Sequence, residues 1–130
     1  MRFASYLAFG VASMGLAACG GSSGGGGATC TPGMTAAIAL NAMGVSPKNA
    51  CVLPGGTVTF TNNDTAAHDI EFGAAGCPTS LGPITPSGGA VTGTFPTQGN
   101  CSFHDADNPT NTAFQGTVAV TTGTVGGGGY

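Results

Sequence analysis

The chain contains no tryptophan, only two tyrosines, and two basic residues against five acidic ones in 130 positions. A nucleic-acid interface needs clustered lysine and arginine to neutralise phosphates, and Lys48 with Arg2 cannot build one. With charged residues at 5% of the chain, the wet faces of amphipathic helices have nothing to be made from, and no heptad pattern appears. Hydrolytic chemistry lacks its usual parts as well. Ser80, Ser87 and Ser102 stand outside any Gly-x-Ser-x-Gly context, and there is no phosphate loop, no Cys-His-Asn set and no paired carboxylates of the glycosidase kind. An enzyme is not expected, and no catalytic residue is assigned. Met34 and Met43 form no methionine cluster and read as packing residues rather than thioether ligands.

What is abundant is glycine, at 25 residues, with eight prolines and many threonines, valines and alanines. That is the composition of a small, loop-rich, all-β domain. Residues 1–18 read as a signal peptide, with Arg2 as the positive start and an apolar run too short to span a bilayer stably. Leu16-Ala17-Ala18-Cys19 resembles a bacterial lipoprotein cleavage box, which implies lipidation at Cys19 and a membrane-anchored protein of the cell envelope, in the periplasm or on the outer surface. Residues 19–28 then form the lipidated cysteine and a Gly/Ser tether with a reach of roughly 15–18 Å. The folded domain is expected over 29–122, followed by a Gly-rich tail over 123–130.

Within 29–122, Pro/Gly/Asn/Asp punctuation recurs at the short intervals of a sandwich. It leaves seven strand candidates: 36–43, 50–53, 57–62, 68–72, 90–95, 101–104 and 116–122. Thr57-Val58-Thr59-Phe60-Thr61 and Thr117-Val118-Ala119-Val120-Thr121 alternate polar with apolar, so Val58, Phe60, Val118 and Val120 belong inside. Ile38, Leu40, Val52, Ile70, Phe72, Val91, Phe95 and Phe103 complete the expected core of a Greek-key β-sandwich.

The chemistry-bearing residues concentrate in Cys101-Ser102-Phe103-His104-Asp105-Ala106-Asp107-Asn108-Pro109, with His68 at the start of an upstream strand. Two imidazoles from separate strands, one near a cysteine, suggest a copper site. Strand alternation points Cys101 and Phe103 to one face and His104 to the other unless the chain turns at once. Asp105 and Asp107 sit among turn formers, where side-chain capping explains them.

Pro54-Gly55-Gly56-Thr57-Val58-Thr59-Phe60-Thr61-Asn62-Asn63-Asp64, followed by His68, resembles the strand and first-ligand segment of cupredoxins, and Gln115-Gly116-Thr117-Val118-Ala119-Val120 resembles their last strand. The resemblance implies a cupredoxin-like fold, a copper cofactor, electron transfer with a redox partner protein, and a monomer. It carries the first ligand onto His68 and reads Cys101-x-x-His104 as the cysteine and second histidine. Counted from the turn glycine Gly99, however, Asp105 rather than Cys101 falls near the place of the family's copper cysteine, and Phe114 or Gln115 stands where the axial methionine is expected. Cys77-Pro78 together with Cys101-Ser102-Phe103-His104-Asp105 also resembles a divergent secreted branch, whose second histidine is replaced here by Ala106.

Beyond Cys19 there are four cysteines, which allow three pairings in an oxidising compartment. The expected pairs are Cys30 with Cys51, tying the N-terminal segment to an early strand, and Cys77 with Cys101. Two readings follow. One is an exported copper protein with His68, His104 and either Cys101, if reduced, or Asp105 as a substitute ligand. The other is a metal-free, disulfide-bonded β-sandwich serving as a binding or structural module.

Overall fold

A computed structural model describes residues 30–124 of the chain. The expected signal peptide, Cys19, the tether and most of the Gly-rich tail lie outside the described residues. Among the described residues, eight strands run in order as β1 (Gly33–Asn41), β2 (Gly44–Ser46), β3 (Asn49–Asn62), β4 (His68–Phe72), β5 (Ser80–Ile84), β6 (Gly89–Phe95), β7 (Gly99–Asp105) and β8 (Gln115–Val120), with one 3-10 turn at Thr112–Phe114.

Strand β3 organises the rest, and it joins two segments that the sequence punctuation separates. Pro54 is exposed and Gly55 adopts φ +86°, a value that glycine tolerates without strain, so the chain bends there and remains extended on both sides. A side chain at Gly56 would strike the Leu53 carbonyl and Val52. Before the bend β3 runs parallel to β8; after it, β3 lies between β1, in parallel, and β6, antiparallel. The continuous order β2-β1-β3-β8-β7-β4-β5, with β6 also on β3, is thereby folded at the bend into two facing leaves.

The core sits between the leaves. Phe60 of β3 meets Phe103 and Phe72 edge-on at 5.2 and 6.2 Å between ring centroids, and Phe72 meets Phe95 at 5.4 Å. Each fully buried ring of this kind contributes about 1.5–3 kcal/mol relative to exposure. The expected core residues are buried except Val91, which is half-buried against the cluster, whereas Met34 and Met43, read as packing residues, are exposed. Val45, Ile84 and Phe114 join them. Strands β2 and β5 were not expected from the sequence: β2 is three residues long, and β5 contains Gly82 and Pro83, so neither has a local pattern to announce it. Their pairing to β1 and β4 is a tertiary effect.

Cys30 is bonded to Cys51 of β3, with Cα atoms 5.9 Å apart, and Cys77 to Cys101 of β7, at 5.7 Å. The second bridge fastens the loop after β4 to β7. Strands β4 and β7 are antiparallel neighbours, so the start of one and the end of the other meet at the same end of the sandwich. His68 opens β4 and Asp105 closes β7.

Candidate functional site

Strand alternation decides which side chains can meet. On β4, His68, Ile70 and Phe72 face the core while Asp69 and Glu71 face outward. On β7, Cys101, Phe103 and Asp105 face the core, and Ser102 and His104 do not. His104 is directly opposite Glu71 on the outer face, its Nε2 3.6 Å from a Glu71 carboxylate oxygen, and is 37% exposed. His68 is 2% exposed. The expected pairing of His68 with His104 around one ion therefore does not form, because the two imidazoles leave opposite sides of the sheet. Cys101 is also not available as a thiolate, since it is half of the bridge to Cys77.

Asp105 does reach His68. The His68 Nδ1–H donates to Asp105 Oδ2 at 2.6 Å, and the Nε2–H donates to Asp64 Oδ2 at 2.9 Å. Carboxylates only accept, so both bonds exist together only when both ring nitrogens carry hydrogen, which makes the ring an imidazolium. Burial works against that charge, yet the hydrogen bonds and proximity of Asp105 and Asp64 outweigh it and hold His68 above its ordinary value.

Asp105 is completely buried and fully satisfied. Its Oδ1 accepts the backbone N–H of Asp69 at 2.9 Å and of Asp107 at 3.1 Å, and its Oδ2 also accepts from Asn108 Nδ2 at 2.7 Å. Burial alone would raise its pKa; the bonds from His68, Asn108 and the two amides reverse this and hold the carboxyl below its usual range. The His68 bond, followed by the Thr65 amide, lowers Asp64 in the same direction. The turn-capping role expected of Asp105 and its role beside His68 are thus filled by the two oxygens of one carboxylate.

Two further residues shape the site. Phe114, from the 3-10 turn before β8, stacks on the imidazole with ring centroids 4.7 Å apart and planes 25° apart, favourable for a cation. Asn62, buried at the end of β3, donates to the carbonyls of Ala66 and Ile84 and accepts the Asp64 N–H, so it fixes the loop that presents Asp64. Asp64, Asn62 and Asn108 carry only a turn-former signal in the sequence, apart from the i, i+4 spacing of Asp64 and His68. Asp107 contributes its backbone amide rather than its carboxylate.

A blue-copper set needs a thiolate beside two imidazoles. The groups around His68 are two carboxylates, an amide and a phenyl ring, and both nitrogens of the one imidazole are engaged. These residues do not fit that set. Among the described residues, no group of three His, Cys, Asp or Glu side chains is arranged to hold a metal ion.

No family model matches the chain, and no curated relative matches it. Solved structures do. A novel purple cupredoxin from Nitrosopumilus maritimus superposes with a TM-score of 0.56 at 23% identity, covering 66% of this chain and 99% of that one. The reduced state of an amicyanin mutant gives 0.57 at 22%, covering 67% and 82%. A Cu(I) form of another amicyanin mutant gives 0.57 at 22%, covering 70% and 86%.

Proposed function

We propose, from the premise that this chain is a cupredoxin-like β-sandwich, that it acts as a metal-free, disulfide-bonded binding or structural module, exported and lipid-anchored through Cys19. The observation that carries the reading is the clasp on His68: each ring nitrogen donates to a carboxylate. An imidazolium has no lone pair to offer a metal. It joins the loop after β3, through Asp64, to the end of β7, through Asp105. The two disulfides support the same reading, because they consume the thiol that a blue-copper site requires.

Adding Cu(II) to the purified, unreduced protein is expected to give no intense band near ~600 nm, the absorption of Cu–thiolate bonding. A thiol assay should find Cys30, Cys51, Cys77 and Cys101 unreactive. An intense band, or a reactive thiol at Cys101, would return the protein to the copper electron carriers and imply a redox partner protein. Weak absorption with selective broadening of the His68 ring signals would indicate copper held by imidazole and carboxylate.

The anchor is tested separately. Radiolabelled palmitate is expected on the wild-type protein in bacteria and not on a Cys19→Ser variant, which should move from the membrane fraction to the soluble one. Labelling that survives the substitution would remove Cys19 as the acceptor.

A further inference from the structure

We infer that the outer face of the leaf formed by β1, the second half of β3 and β6 is an ice-binding surface, a regular array of threonine methyls and hydroxyls whose ligand is the face of crystalline water. The inference goes beyond the metal-free reading and does not rest on it, because no residue of the His68 clasp lies on this face.

Strand register builds the array. Thr35, Thr57 and Thr94 stand abreast across β1, β3 and β6, and Ala37, Thr59 and Thr92 form the next row. The third row is Thr61 with an alanine on either side. Alternation turns these side chains away from the core, and the Thr59 and Thr92 hydroxyls meet at 2.9 Å. Neighbouring strands lie about 4.8 Å apart, and successive outward residues along a strand about 6.6 Å apart. Both repeats are near those of the oxygen atoms on the prism face of hexagonal ice. Threonine is stiff at χ1, so its oxygens keep the spacing of the backbone beneath them.

The outer face of the other leaf is built differently, with Asp69, Glu71 and His104 projecting from it. Strand propensity explains threonine at any one exposed position. It does not explain three strands in register without a charge, an amide or a ring among their outward side chains. A charged partner finds no counter-charge here, and a saccharide finds no aromatic ring to stack on. A second copy pressed on this face would bury hydroxyls without partners. Ice is uncharged, and its surface supplies donors and acceptors at matching intervals. Sheet twist turns each neighbour by roughly 20–25° against β3, so contact depends most on Thr59 at the centre of the array.

The test grows ice slowly in a solution of the exported chain carrying Cys19→Ser for solubility and labelled with a fluorophore. The protein is expected to be enriched in the ice relative to labelled serum albumin. Thr59→Lys and Thr92→Lys, each placing a long hydrated side chain in the array, should reduce that enrichment to the albumin level. Thr92 is exposed on β6, so its variant keeps the test decisive if Thr59→Lys folds poorly. Ser102→Lys, exposed on the outer face of β7, adds the same charge elsewhere and should retain enrichment. Unsubstituted protein excluded from ice as albumin is overturns the inference, and so does enrichment that folded Thr59→Lys and Thr92→Lys leave unchanged. Cu(II) uptake at His68 overturns the metal-free reading and leaves this inference standing.

Discussion

Replacing His68 with leucine is expected to cost about 3–5 kcal/mol, because it leaves the Asp105 carboxylate buried without its cation. In a domain of this size that lowers the melting temperature by roughly 15–30 °C. Lost volume is a poor competing explanation, since leucine fills similar space beside Phe114. The partner substitution separates the two causes. Asp105→Asn keeps an oxygen to accept the Asp69 and Asp107 amides while removing the charge, so His68→Leu with Asp105→Asn should recover part of the loss, with a coupling of about 1–3 kcal/mol. Strict additivity in urea unfolding of the four proteins would mean that the ion pair carries none of the effect.

The same pair sets the pH profile. His68 is raised in the folded state, so its contribution is fully present below the ordinary histidine value of about 6.5 and fades as pH rises through the higher folded value. Asp105 and Asp64 are lowered, so theirs are present above about 3.9 and fade as pH falls through the folded values. Stability should be greatest between these limits and decline on both sides, and His68→Leu should abolish the alkaline decline. A wild-type melting curve flat from pH 6 to 9 would contradict the imidazolium assignment.

The second large effect concerns the bridges. Cys77 and Cys101 are 24 residues apart, and releasing that loop in the unfolded chain costs the folded state about 3 kcal/mol, to which the loss of packing at buried Cys101 adds. Cys30 and Cys51, 21 apart, contribute about as much. Together they approach the whole margin of a domain this small. Replacing the pair Cys77 and Cys101 with alanine should lower the denaturation midpoint markedly, and full reduction of the wild type should leave it largely unfolded at 37 °C. A midpoint unchanged by reductant would mean that the core alone suffices.

Much of this architecture was written locally. The alternation at residues 57–61 and 117–121 is a strand signal that burial then satisfies, and β4 has the limits its residues suggest. The fusion of two candidates into β3 was hidden because Pro54-Gly55-Gly56 has the chemistry of a turn, and only pairing on both sides keeps it extended. At the site, His68 and Asp105 were both visible, Asp105 by its distance from Gly99. The parity of His104 with Cys101 and Phe103 places it on the other face of β7. Asp64 and Asn108 are obscured because Asn and Asp in loops usually bond nearby backbone; Asp64 does so and also holds His68, whereas the Asn108 side chain goes to Asp105 instead.

The bond between Cys30 and Cys51 also determines how the domain carries mechanical load. Tension applied through the residues ahead of Cys30 passes by a covalent route into β3, the strand that borders β1, β6 and β8, before it can peel β1 from its neighbours one hydrogen bond at a time. Pulled from its N-terminal side, the fold is gripped by its spine rather than unzipped from its rim.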